Sequence, residues 1–216
     1  MKTFYKRHLP HYQPEGATFH VVFRLAGSLP RHAVEQLREE QKRLRESTEK
    51  GVRNEKIFEL LQKERWGYFK RFDTLLYGTS TGPHWLGQLD VAEIVVEAMH
   101  YRDGVVYDLI AYSIMPNHVH MILENVRLGP VRRADCPSNS PLTEVLRKLK
   151  WNTALRANRA LHRSGPFWQN ESYDHVIRND AELERTIWYV LENPVRAKLA
   201  TSWNQWPWNY CKWNPE

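Results

Sequence analysis

Residues 112–124 read YSIMPNHVHMILE. Two apolar, strand-like runs meet at Pro116-Asn117, and a proline has no N–H to give to the middle of a ladder. The chain must therefore lay down two strands, about 105–114 and 118–124, with a break between them. Other segments offer partners. ATFHVVFRL at 17–25 alternates and is β-branched and aromatic, which predicts a strand, and SYDHVIR at 172–178 is a candidate fourth.

Helical periods fill the gaps. A charged segment from about 31 to 69 carries Leu37, Leu44, Ile57, Leu60 and Leu61 at helical spacing, with Gly51 near its middle, and reads as a helical hairpin with a thin apolar stripe. Asp90, with Glu93 three residues on, looks like the N-cap of a helix whose apolar positions are Val91, Ile94, Val95, Ala98 and Met99, and Asp103-Gly104 marks a turn. Pro141 opens a long helix to about Leu161. Asn179, with Glu182 at the third position, caps a last one that Pro194 ends. The order strand, helices, strand, strand, helix, strand, helix predicts a split βαβ, ferredoxin-like α+β domain. Its antiparallel sheet would carry helices on one face. One domain spanning 1–216 is expected, with a helical insertion at about 31–71 and a Trp-rich tail at about 201–216.

Thirty-one Lys and Arg against 25 Asp and Glu leave a net charge of +6, which favours a polyanionic partner such as nucleic acid. The two cysteines, Cys136 and Cys211, form no CxxC pattern and indicate neither a disulfide framework nor a zinc-cysteine site, so a cytoplasmic setting is expected. MKTFYKRHLPHYQPEG has no apolar core, and no run of about 18 apolar residues occurs, so neither a signal peptide nor a membrane span is expected. There is no Gly-rich phosphate loop and no GxSxG.

His118 and His120, two apart in a strand, project from one face and come within reach of a single divalent ion. The same pair also suits two histidines satisfied by hydrogen bonds on a half-exposed sheet. In the last helix Leu183, Ile187 and Val190 form the buried stripe, at about 100° per residue. Tyr189 lies off that stripe, on a polar flank with Glu182, Thr186 and Asn193. Asn193, before a proline, also has a plain role in ending the helix. Two imidazoles and an amide oxygen could hold Mg²⁺ or Mn²⁺ and leave positions for phosphate oxygens. A nearby tyrosine could then serve as a covalent nucleophile. A phenol ordinarily ionises near pH 10, so making the phenolate at neutral pH costs roughly 4 kcal/mol. A basic site offsets part of this, and a metal polarises the phosphate under attack.

The His-hydrophobic-His of PNHVH, followed far downstream by YVLENPVRAKL, resembles the single-tyrosine HUH transposases, and most closely the REP-associated tyrosine transposases. RHLPHYQPEGATFHVVFRLAGSLP, FWQNESYDHVIRN and the Trp-rich tail share the likeness, which covers most of the chain. The resemblance implies an HUH endonuclease fold. It also implies an enzyme that cuts single-stranded DNA, often beside the hairpin of a repetitive extragenic palindrome. In that chemistry the tyrosine attacks the scissile phosphate and keeps a 5′-phosphotyrosine link. The freed 3′-OH later attacks that link, so strands are joined without ATP. Carried over by position, His118 and His120 are metal ligands, Tyr189 is the nucleophile and Asn193 is the third ligand. Other single-tyrosine branches have a glutamine there, and the shorter asparagine puts the third contact in question. Tyr173, in SYDHVIR beside His175, is a rival nucleophile without a ligand-type residue four positions on. His175 is an auxiliary phosphate contact or a structural residue.

A nucleic-acid track suggests itself in Arg127, Arg132, Arg133, Arg147, Lys148, Lys150 and Arg156, continuing to Arg159 and Arg163, with only Asp135 and Glu144 among them. A solvated helix face is the common alternative, and the scarcity of acidic partners weighs against it. The tail SWNQWPWNYCKW could stack unpaired bases or, more commonly, pack back on the domain. The partner expected is single-stranded DNA with palindromic hairpins, bound by a monomer or a homodimer. Two other classes stand beside this one: a hairpin-binding protein without catalysis, and another HxH metal hydrolase such as a phosphoesterase.

Overall fold

The computed structural model describes residues 4–6, 10–12, 16–30, 32–37, 39–40, 43, 55–78, 82–127 and 141–213. Arg132, Arg133, Cys136, Leu44 and Gly51 lie outside the described residues. The chain forms two compact units, residues 27–83 and the remainder.

The larger unit holds a five-stranded antiparallel sheet in the order β6-β3-β5-β4-β7, and a separate two-stranded pair of β1 (Phe4–Lys6) and β2 (Pro10–Tyr12). The sheet strands are β3 (Thr18–Arg24), β4 (Asp108–Met115), β5 (His118–Glu124), β6 (Tyr173–Ile177) and β7 (Asn209–Cys211). The first four have the order and the split crossovers of a ferredoxin-like sheet, as expected. Two helices, α2 (Leu89–His100) and α3 (Pro141–Ala160), make the crossovers. Both cover one face. There Val91, Val95, Met99, Leu142, Val145 and Leu149 pack on Phe19, Val21, Phe23, Tyr112, Ile114, Val119 and Met121.

A further helix, α4 (Asp180–Leu191), docks on the opposite face, where Ile187, Val190 and Leu191 meet Ile110, Ala111, Ile122 and Ile177. The expected single helical layer is thus joined by α4 on the other side, and a short helix α5 (Asn193–Arg196) continues it. A β-bulge between Leu109 and Ala111 makes this possible. It inserts one residue, so the parity of β4 changes. Leu109 packs with the crossover helices, while Ile110 and Ala111 both turn to α4.

One helix start differs from the sequence expectation and another matches it. Asp90 is not an N-cap: α2 begins at Leu89 with Gln88 as cap, after a 3-10 turn at Trp85–Gly87, and the Asp90 carboxylate accepts from the Val91 N–H at 3.0 Å inside the first turn. A carboxylate there still meets the positive end of the helix dipole. Asn179 does cap α4, accepting from the Glu182 N–H at 2.9 Å. The tail packs back along β4: β7 pairs with it, and the Trp206 indole N–H donates to the Ile114 carbonyl at 3.0 Å.

In the smaller unit residues 32–37 are helical, and a 24-residue helix, α1 (Glu55–Gly78), runs past the expected end near Phe69. Phe72, Leu75 and Leu76 continue its apolar stripe and, with Leu29, Leu37 and Tyr68, form that unit's core. Arg71 bridges to Glu40, and the Tyr77 hydroxyl donates to Asp73 at 2.7 Å.

Candidate active site

Register places one row of side chains on the α4 face of the sheet. Strand β5 runs between β3 and β4, with His118 opposite Arg24 and Met115, and His120 opposite Val22 and Ser113. On β6, His175 stands opposite His20, and Tyr173 opposite Val22. Paired residues share a face, so His118, His120, His20, Arg24, Tyr173 and His175 all belong to it. His20, Arg24, His118 and His120 are buried.

The imidazoles form a chain. His118 Nε2 is 3.0 Å from His120 Nε2, and His120 Nδ1 is 3.2 Å from His20 Nε2. His118 Nδ1 is 2.6 Å from Asn117 Oδ1. A carboxamide oxygen only accepts, so His118 carries its proton on Nδ1 and keeps a lone pair on Nε2. For His120 Nε2 to offer a lone pair as well, its proton must sit on Nδ1 and be accepted by His20 Nε2. His20 would thus set the tautomer of His120, as Asn117 sets that of His118, in the manner of outer partners of metal-binding histidines. A six-coordinate ion with bonds of about 2.1 Å has adjacent donors about 3.0 Å apart. The His118–His120 spacing fits that requirement.

The last helix brings the tyrosine. The Tyr189 ring stands edge-on to His120, centroids 6.2 Å apart, and to His20 at 6.4 Å. Arg196, one element later, lies over the ring: its guanidinium carbon is 4.0 Å from the Tyr189 centroid, and its Nη2 donates to the Tyr189 carbonyl at 2.6 Å. Asn193 plays the plain, helix-ending role that its sequence position allows. Pro194 cannot donate to the Val190 carbonyl, and the Asn193 side-chain amide donates there instead, at 3.2 Å, and to the Tyr189 carbonyl at 3.0 Å. Its other end is different. Asn193 Oδ1 is buried and accepts no hydrogen bond. An orphaned buried acceptor costs about 1–3 kcal/mol, so a cationic partner there would recover a real deficit.

The remaining candidates are occupied in other ways. His175 Nε2 meets Glu182 Oε1 at 2.8 Å, tying β6 to the first turn of α4. Burial raises the Glu182 pKa, but the hydrogen bonds from His175 and from the Arg178 N–H outweigh it and hold the carboxyl below its ordinary range. Among the described cations of the expected track, the apparent lack of acidic partners does not survive folding, because chain neighbours are not spatial neighbours. Arg127 bridges to Asp108 at 3.0 Å, Arg156 to Glu97, and Arg147 and Lys148 both to Glu144. Lys150 holds the 169–172 turn through the Gln169 and Asn170 carbonyls and the Ser172 hydroxyl.

Sequence reading missed three members of this site: His20, Arg24 and Arg196. For the first two the signal was parity in ATFHVVFRL, where His20 and Arg24 alternate with Phe19, Val21 and Phe23, which face the core.

The arrangement is an antiparallel α+β sheet carrying a buried histidine pair, with a tyrosine brought to it by a following helix. In sequence the chain is similar to a protein of Haemophilus influenzae named as a REP-associated tyrosine transposase, 27% identical over 107 residues, which are 48% of this chain and 58% of the relative. It thus spans little more than half of that relative's length. A solved structure of a REP-associated tyrosine transposase bound to a REP hairpin matches with a TM-score of 0.47 and 14% identity, over 95% of this chain and 80% of that one. No protein-family model matches the chain. The resemblance to REP-associated tyrosine transposases therefore extends from the motifs to a named relative. No described helix is long and apolar enough to cross a membrane.

Proposed function

We propose that this chain is a metal-dependent enzyme that nicks and rejoins single-stranded DNA beside palindromic hairpins, with Tyr189 as its nucleophile. The observation that carries the reading is the approach of Tyr189 to the paired imidazoles, 6.2 Å between the ring centroids of Tyr189 and His120. The named relative supports it from the sequence side.

The phenolic oxygen of Tyr189 attacks the scissile phosphorus, and the bond from phosphorus to the 3′ oxygen breaks. The 5′ phosphate becomes esterified to the tyrosine, and in the net balance the phenolic proton ends on the freed 3′ oxygen. One phosphodiester replaces another, so the reverse attack by a 3′-OH needs no nucleotide energy. His118, His120 and Asn193 Oδ1 would hold Mg²⁺ or Mn²⁺, which when bound supplies the positive charge that polarises the phosphate. Arg196 pins the ring and backbone of Tyr189, which fixes the direction of attack. Arg24 adds positive charge on the same face.

The test uses a hairpin oligonucleotide with unpaired flanks, labelled at either end, incubated with the protein and Mn²⁺. The reading requires a fragment with a free 3′-OH that a polymerase extends. It also requires a second fragment that enters a denaturing gel only after protease treatment. Fragments with free 5′ phosphates and no protein attached would instead indicate a hydrolase, and intact oligonucleotide despite tight binding would indicate a hairpin-binding protein.

A further inference from the structure

The outer surface of α3 carries a ridge that the active site does not use. Arg147, Trp151, Leu155 and Arg159 follow one another at four-residue intervals, so they lie along one side of the helix. All four are exposed. Trp151 is 66% and Leu155 50% accessible, which is a large apolar area to leave in water. At 1.5 Å per residue, the two arginines stand about 18 Å apart along the helix axis. The inner face of α3 is spent on the core through Leu142, Val145, Leu149 and Ala157, so the ridge points away from the sheet.

We infer that this ridge binds an unpaired segment of nucleic acid, with Trp151 stacking on a base and Arg147 and Arg159 meeting phosphates on either side. The inference rests on the DNA-strand reading above. Charge decides the occupant. Helix α3 carries Arg147, Lys148, Lys150, Arg156 and Arg159 against Glu144 within the helix, and Arg156 is bridged to Glu97 of α2. Glu144 is shared by Arg147 and Lys148, yet the Arg147 side chain remains 53% accessible. A second copy of the chain docking here about a two-fold axis would set this cationic face against itself. An aromatic ring flanked by guanidinium groups suits a base flanked by phosphates, and stacking tolerates any base.

The ridge lies on the crossover-helix side of the sheet, whereas Tyr189 lies on the other. A strand held at both would pass around the domain. Such a grip adds affinity for unpaired DNA without touching the reacting phosphate.

The test is fluorescence anisotropy with the full chain in EDTA, so that no cleavage intrudes. The probes are a blunt hairpin and the same hairpin with a twelve-nucleotide unpaired tail. Trp151→Ala should weaken binding of the tailed probe by about tenfold and leave the blunt one unchanged. Trp151→Phe, which keeps a ring, should restore most of the loss. Arg147→Gln with Arg159→Gln should lower the salt slope by about 1–2 for the tailed probe. Tailed-probe binding by Trp151→Ala equal to wild type would overturn the inference and leave the DNA reading standing. Equal losses on both probes, or a change of oligomeric state on sedimentation of Trp151→Ala, would also overturn it. A wild-type chain that binds neither probe would sink both readings.

Discussion

His118 Nε2 and His120 Nε2 stand 3.0 Å apart on the buried α4 face of the sheet, with the far nitrogen of each ring engaged, by Asn117 on one side and His20 on the other. This is a pair held for convergence on one point. It leads to a first expectation. His118→Ala or His120→Ala should lower strand cleavage by about a hundredfold or more while leaving hairpin affinity within a few-fold, since in the proposed reaction the imidazoles serve the metal and not the duplex. Cleavage rates and anisotropy on the same preparations check this. Parallel losses of both would assign the histidines to DNA binding or to folding.

His20 should behave as an outer partner. His20→Ala removes the acceptor that orients His120, and metal affinity should fall about 10–100-fold. Titration calorimetry with Mn²⁺ measures it directly. His20→Gln, which can still accept from His120, should lose less. An unchanged affinity in His20→Ala would mean that the tautomer of His120 is fixed by another group.

Asn193 should show two separable effects. Asn193→Ala strips the donor from the Val190 and Tyr189 carbonyls, and thermal or denaturant melts should show a loss of about 1–2 kcal/mol. Asn193→Asp keeps an oxygen but loses the amide donor. It should also be destabilised, yet retain metal affinity that the alanine variant lacks. Equal metal affinity in both variants would remove Asn193 from the ligand set.

Acid should loosen the junction between β6 and α4. The Glu182 carboxyl is held below its ordinary pKa by His175 and the Arg178 N–H. A depressed carboxylate contributes stability above its unfolded pKa, and that contribution is lost as pH falls through the folded value. Glu182→Gln should therefore melt lower than wild type at pH 7, and the gap should close on going below about pH 4. The pair is partly exposed, so the gap should be about 1 kcal/mol or less. A constant gap from pH 7 to pH 3 would contradict this account.

The sheet was legible because its strands differ in period from what lies between them. The Pro116-Asn117 break and the alternation of ATFHVVFRL reported β3, β4 and β5 to within a few residues. The histidine pair and the off-stripe tyrosine followed from parity on a strand and angle on a helix. What stayed hidden depended on the third dimension. His20 joins His120 only because β3 and β5 pair in this register, with a sequence separation of 100. The bulge at Leu109/Ala111 has no mark in the residues DLIAYSIM, and it lets Ile110 and Ala111 both face α4. β7 has three residues and pairs only at an edge, too short a run to announce itself. The cationic track looked unopposed because Asp108 and Glu97 are distant from Arg127 and Arg156 in sequence.

The central claim is that Tyr189 becomes joined to DNA, and the most direct measurement is covalent trapping with both candidate tyrosines in play. Labelled hairpin oligonucleotides are incubated with Mn²⁺ and wild type, Tyr189→Phe or Tyr173→Phe, then separated on a denaturing gel, with an EDTA control. The account predicts a shifted band for wild type and Tyr173→Phe that vanishes with Tyr189→Phe and with EDTA. A band that persists in Tyr189→Phe and vanishes in Tyr173→Phe would contradict it and move the nucleophile to β6.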